Sequence, residues 1–405
     1  MTAGHVDQPA NVSGDASEEL RPGTRLLHGQ YKVESFLNAG GFGMTYLARD
    51  SLERRVVLKE CFPSSMCCRD KDAVRARNRS SQREFEAVVK LFGFEARRLS
   101  ALSHPNIVGI HQVFEDHGTA YMALDFVRGR ELLAIIEDPR VHLKPNQVRF
   151  VLRKVLKAVK YIHDNDVLHR DISPDNILIQ PNGNPVLIDF GAAREEASKA
   201  SRALSHIHVV KDGYSPQEFY VQGSEQSPAS DLYSLAATFY HLITGEAPPS
   251  SQSRVAAIAA EKDDPYRPLV NRVRIYDEFF LGAIDQAMSV FPKDRLSTAD
   301  EWLERIDTVK RRKAALEKAN KDKQIEESIQ ALVAASNDGS LDEVDLTKPR
   351  LSREIARSQP DDVIIEPGSV RKRPVAAINR RRSFLSRFFW RGTEDGPETG
   401  QSANH

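Results

Sequence analysis

The chain has 405 residues with 57 Lys+Arg against 57 Asp+Glu, so no net charge draws it as a whole to nucleic acid or to a membrane. The length leaves room for one large domain with added segments. The cysteines, Cys61, Cys67 and Cys68, are odd in number and have no fourth zinc ligand at suitable spacing, which argues for reduced thiols rather than a secreted disulfide framework.

Met1 to Glu19 is polar and acidic, without the basic-then-apolar run of a signal peptide. No stretch approaches the roughly 20 apolar residues that cross a bilayer. A cytoplasmic protein is expected. Residues 1–27 read as a disordered lead-in.

From Tyr31 the pattern alternates as a strand to Phe36, and Met44–Ala48 and Arg55–Lys59 continue as strands beyond a glycine cluster. Arg83–Leu102 carries Phe85, Val88, Val89, Phe92 and Leu99 at helical spacing. Strands follow at Ile107–Phe114 and Ala120–Phe126, joined by a turn at Asp116-His117-Gly118. Beyond Gly129 the pattern turns helical, at Pro145–His163, Asp231–Thr244, Tyr276–Val290 and Ser297–Val309. A strand-rich half followed by a helix-rich half predicts an α+β fold of two lobes, hinged near Asp125 to Gly129, with a cleft between them.

Residues 309–336 are strongly charged, with Lys323 and Glu327 four apart, and predict a solvated helix. Residues 337–370 read as a linker. Arg371 to Arg391 holds eight Lys/Arg and no acid, interleaved with Phe384, Leu385, Phe388, Phe389 and Trp390, within a disordered tail over 371–405. Such a tail suits an anionic membrane surface or another protein; a nucleic-acid contact is the weaker fit.

The chemistry concentrates in His169-Arg170-Asp171-Ile172-Ser173-Pro174-Asp175-Asn176 and, beyond two short strands, Asp189-Phe190-Gly191. Asp171 offers a proton acceptor, and Asn176 and Asp189 offer oxygen ligands for magnesium. Phosphoryl transfer from a nucleotide to a hydroxyl asks for that set. The cluster Asn38-Ala39-Gly40-Gly41-Phe42-Gly43 lies between strands, where glycines let backbone N–H groups approach phosphates. Lys59, on the next strand, needs a carboxylate partner, and Glu95 on the following helix is the natural one.

This order of glycine loop, Lys59, Glu95, His-Arg-Asp, Asp-Phe-Gly and Pro216-Gln217-Glu218 resembles the eukaryotic-type Ser/Thr protein kinases. The wording around Gly43-Met44-Thr45-Tyr46, Lys59-Glu60-Cys61-Phe62-Pro63 and Gly213-Tyr214-Ser215-Pro216 is similar to their bacterial branch, and the resemblance spans residues 28–308. It implies a bilobal kinase fold with an N-lobe at about 28–124 and a C-lobe at about 129–308, using ATP with magnesium, or manganese in its place, on protein substrates. It further implies that Leu124 is the gatekeeper, that Asp125 to Val127 form the hinge, and that Leu99, Phe190 and His169 stack between lobes above Asp231. Glu218 would pair with Arg295.

Three positions depart from the family pattern. Asn38 replaces the first loop glycine, Thr45 a roof valine, and Ser173 the lysine that steadies the transferred phosphate. Lys211 is then the candidate replacement cation. Ala192 to Asp212 fits an activation loop, with Ser198, Ser201 and Ser205 as autophosphorylation candidates and Arg170 as their phosphate partner. A pseudokinase acting by shape is the alternative class, but Lys59, Asp171, Asn176 and Asp189 are all present. A small-molecule kinase would usually lack the Phe-Gly and Pro-x-Glu landmarks found here.

Overall fold

A computed structural model describes residues 18–190, 210–221 and 223–337. Eight strands come first: Arg25–Leu26 (β1), Tyr31–Ala39 (β2), Gly43–Asp50 (β3), Arg55–Cys61 (β4), Cys67–Asp70 (β5), Ala73–Ala76 (β6), Ile110–Asp116 (β7) and Thr119–Asp125 (β8). Helix α1, Gln82–Ser100, intervenes before β7. The main sheet runs β1-β2-β3-β4-β8-β7, all antiparallel, and β5 pairs with β6 as a separate hairpin. The alternation read in the sequence explains β2, where Tyr31 and Val33 are buried and Lys32 is exposed. On α1 the buried face is Phe85, Val88, Val89, Phe92, Glu95, Ala96 and Leu99, a stripe that packs on β7 and β8.

The second half is helical: α2 Leu132–Ile136, α3 Pro145–Asp164, α4 Pro228–Thr244, α5 Ser251–Ala259, α6 Glu278–Ala287 and α7 Ala299–Ile306. Between α3 and α4 the short strands β10 Ile177–Ile179 and β11 Pro185–Leu187 pair with each other, and β10 also pairs with β9, Arg130–Glu131. Two apolar cores result. One joins the main sheet to α1; the other joins α3, α4, α6 and α7 around Trp302, Phe280, Tyr233 and Leu152. Separate cores are the physical content of two lobes, and the fold is the expected bilobal α+β one.

The N-terminal boundary differs from expectation. Residues 18–27 are part of the small lobe: Leu20 and Leu26 are in its core, Leu26 lies on β1, and Leu20 N–H donates to Tyr46 Oη at 3.2 Å. Two isolated leucines among polar residues carry no periodicity, so the sequence hid them. The β5–β6 hairpin, α2 and α5 were likewise not anticipated. The helix expected over 309–336 runs Thr308–Asn337 (α8), with Lys323 and Glu327 at 3.8 Å. Gly191, Ser198, Ser201, Ser205, the linker and the basic tail lie outside the described residues.

Candidate active site

The glycine-rich turn folds back onto the small-lobe sheet. Gly40 N–H donates to Gly43 O at 2.8 Å, and Phe62 N–H to Phe42 O at 3.0 Å. A Cβ on Gly43 would lie 2.4 Å from Glu60 O, so only glycine permits this approach to β4. Thr45 on β3 and Met122 on β8 flank Lys59 in register. Strand pairing therefore aims the lysine into the space under the turn.

Lys59 Nζ makes its ion pair with Asp189 rather than with Glu95. Glu95 is buried on α1, so the expected acid is on the correct helix but is not the one that holds the ammonium. Asp189 reaches it from left-handed backbone at φ 60°.

The catalytic loop is held from below by Asp231. Its carboxylate accepts the His169 and Arg170 N–H groups, both at 2.8 Å, and lies 2.9 Å from His163 Nε2. Those bonds offset the strained left-handed backbone of Arg170, φ 65°. Burial acts to raise the Asp231 pKa, but the His163 contact and the N–H donors win and hold it below the usual carboxylate range. His169 is fully buried, burial lowers its pKa, and its Nε2 has no partner among the described residues. Its ring packs on Phe190 at 4.6 Å between centroids, while Leu99 and Phe190 join the same core.

A chain of bonds links the two sides of the site. Asn176 Nδ2 donates to Asp171 O at 2.7 Å, and Ile188 N–H donates to Asn176 O at 3.0 Å, next to Asp189 and its partner Lys59. Lys211 approaches Asp171 from the helical lobe, 3.1 Å from Oδ1. Its ammonium also donates to Ser173 Oγ at 2.7 Å and Asp175 Oδ2 at 2.9 Å.

Between the lobes is a cleft lined by Asn38, Gly40, Phe42, Gly43, Lys59, Leu124, Asp189 and Phe190. Ala39, Gly41, Asp125 and Val127 are not among its lining residues. Asp125 instead accepts the Gly109 N–H at 3.1 Å and pairs with His111 at 2.9 Å. Sequence reasoning missed Val88, Phe92, Val108 and Met122, which line the inner end. The helical stripe on α1 was the available signal for the first two. Lower in the large lobe, Arg295 Nη1 and Nη2 grip Glu218 at 2.6 and 3.1 Å, both residues buried. That two-pronged bond braces the 217–220 turn ahead of α4 against the segment before α7.

Asn176 uses its amide N–H on Asp171 O, so its Oδ1 remains as a candidate oxygen ligand, with the Asp189 carboxylate, just past β11, as the second. Among the described residues no three His, Cys, Asp or Glu gather around one point. One amide and one carboxylate fit magnesium, which keeps water and phosphate oxygens as its other ligands. A lysine, an aspartate, an amide and a second carboxylate are the groups that phosphoryl transfer from a nucleotide asks for.

Comparison with known proteins agrees. Residues 31–305 match the protein kinase domain model, and the chain belongs to that family. It is 30% identical over 295 residues to the serine/threonine-protein kinase PknA of Nostoc sp., covering 70% of this chain and 48% of that protein. It is 29% identical over 236 residues to PrkC of Bacillus subtilis, covering 57% of this chain and 33% of that one. The chain thus spans between about a third and about half of the length of these curated relatives. A solved structure titled "PpkA-294 apo form" superimposes with a TM-score of 0.62 at 35% identity, over 72% of this chain and 100% of that one.

Proposed function

We propose that the chain transfers the terminal phosphoryl group of ATP to serine and threonine hydroxyls of protein substrates. The observation that carries the reading is the bonded path from Asp171 through Asn176 and Ile188–Asp189, just past β11, to Lys59. Family membership and the relatives' names support it.

In the reaction the substrate oxygen bonds to the γ-phosphorus, the bond from that phosphorus to the bridging oxygen breaks, and ADP leaves. Asp171 orients the attacking hydroxyl and accepts its proton. Lys59 neutralises phosphate oxygens, and the glycine turn presents backbone N–H groups to them. Asn176 and Asp189 would hold magnesium, which when bound neutralises charge on the phosphates. Leu124, which lines the cleft, would meet the adenine, and the Asp125–Val127 backbone would do so only from outside the residues that line it.

Labelled ATP and dephosphorylated casein supply the test, with Asp171→Asn as control. Transfer to Ser/Thr in the wild type and its loss in the variant support the reading. ATP binding without transfer in the wild type would instead mark a binding module. Phosphate on Ser198, Ser201 or Ser205, seen by mass spectrometry, would extend the proposal to self-activation.

Among the described residues no helix is long and apolar enough to cross a membrane. A cytoplasmic site of action, with the 371–391 stretch touching an anionic membrane or another protein, completes the proposal. Co-sedimentation of the full chain with phosphatidylserine vesicles tests it, and no binding would remove the membrane arm.

A further inference from the structure

Transfer to a hydroxyl held at Asp171 moves charge onto phosphate oxygens a few ångströms from that carboxylate. A fixed cation there stabilises the transition state more than it does the ground state. Two residues past the base the catalytic loop offers none, because Ser173 is neutral and fully buried. Lys59 is held across the cleft by Asp189.

Lys211 meets the requirement. Its ammonium is at once 3.1 Å from Asp171 Oδ1, 2.7 Å from Ser173 Oγ and 2.9 Å from Asp175 Oδ2. Burial works to lower its pKa, but the charges of Asp171 and Asp175 more than offset that and leave it raised, so the group stays an ammonium. The backbone behind it is rigidly seated. Lys211 N–H donates to Ser215 Oγ at 2.9 Å, Lys211 O accepts from Tyr214 and Ser215 N–H, and Ser215 O accepts from Ser251 Oγ at 2.8 Å. Gly213, at φ 86°, lets this turn pass so close to Pro248 O that a Cβ would come within 2.7 Å. The cation is thereby delivered by a segment anchored on α5 and the α4–α5 connection, not by the loop that carries the base.

We infer that Lys211 contacts the transferred phosphoryl group and supplies the positive charge that Ser173 lacks, so that phosphate stabilisation depends on the seating of the 211–215 turn. The inference rests on the kinase reading. A purely structural lysine, pinning the turn to the catalytic loop, is the competing role, and a double-mutant cycle separates the two.

The full chain is assayed with ATP and dephosphorylated casein as wild type, Lys211→Ala, Lys211→Met, Ser173→Lys and Lys211→Ala/Ser173→Lys. Loss of the cation should lower kcat about 10²–10³-fold while the ATP KM moves less than about threefold, the signature of an interaction made in the transition state. Lys211→Met keeps the aliphatic stem and should lose as much kcat as the alanine variant. Ser173→Lys alone crowds two ammoniums and should also be slow. The double variant, with one ammonium restored from the other wall, should exceed Lys211→Ala at least about tenfold in kcat.

The inference is overturned if Lys211→Met turns over within about threefold of wild type. A double variant no faster than Lys211→Ala, or a loss confined to KM, would overturn it equally. A wild type that transfers no phosphate sinks the kinase reading itself, a result distinguishable from an active wild type whose Lys211 variants are also active.

Discussion

Two ion pairs, one in the cleft and one in the large lobe, are built on opposite principles. Glu218–Arg295 is dry and saturated: Ser230 Oγ adds a 2.7 Å bond to Glu218, and Arg295 also donates to Ser289 O and Val290 O and lies over Tyr233. Lys59–Asp189 keeps about a fifth to a quarter of its side-chain surface exposed, 21% and 25%, and opens onto the cleft. The first is organised to persist; under the proposed function the second would exchange partners when a triphosphate enters. Burial with every donor and acceptor used makes a brace, whereas partial exposure makes a site.

The small lobe has a brace of the first kind. Glu60, fully buried beside Lys59 on β4, accepts from Tyr46 Oη at 2.9 Å, from Tyr121 Oη at 2.5 Å and from Arg69, whose Nε donates to Glu18 O at 2.6 Å. Alternation along β4 thus sends one acid into the core network and its neighbouring lysine into the cleft.

The sharpest way to break the comparison is to remove a cleft group and watch activity alone. Asp171→Asn should cost about 10²–10⁴ in kcat, with a melting temperature close to wild type, read by labelled phosphate transfer and calorimetry. A large loss of stability would mean that the cleft acids are braces too. Arg295→Met should do the converse, costing about 3–5 kcal/mol of stability because Glu218 is left buried without its charge partner. Denaturant midpoints measure it.

Arg69→Met sharpens the contrast between the two braces. Glu60 retains two tyrosine hydroxyls when the guanidinium goes, so the loss should be smaller, about 1–3 kcal/mol. An equal loss would show that the hydroxyls carry little. Gly43→Ala pushes a methyl against the β4 carbonyl at the edge of the cleft. About 1–3 kcal/mol of strain there should appear as a rise of about tenfold in ATP KM rather than as a lower melting point.

A further effect, absent near neutral pH, is set by acid. Burial lowers the His241 pKa from 6.5 to about 4, and its Nδ1 lies 2.6 Å from the Tyr214 hydroxyl, on the turn that carries Lys211. The unfolded chain takes up the proton first as pH falls, so stability is full above pH 6.5 and declines down to about pH 4. His241→Gln should flatten that slope by up to one proton, measured as urea midpoints against pH. An unchanged slope would assign the acid sensitivity to other groups.

Much of this molecule was legible in one dimension because its determinants are local. Alternation marked β2, a 3.6-residue stripe marked α1, and the spacing from Asp171 to Asn176 to Asp189 put a candidate base and two candidate oxygen ligands on one short stretch. The Asp231 anchor and the Glu218–Arg295 pair became readable through resemblance to the kinases, not through spacing. Leu20, Leu26 and the β5–β6 hairpin were illegible because brief apolar positions among polar neighbours have no period to detect.

The sequence alone therefore determined the lobes, the family and the types of chemical group at hand, since these follow from short-range pattern and from motif order. Only the tertiary structure decided which charges meet. Lys59 goes to Asp189 rather than Glu95, Glu60 is shared by two tyrosines and an arginine, and Lys211 reaches Asp171 across some forty intervening positions. Coulombic partnership depends on distances of a few ångströms in a low-dielectric interior, and those distances are set by packing, which linear spacing does not encode.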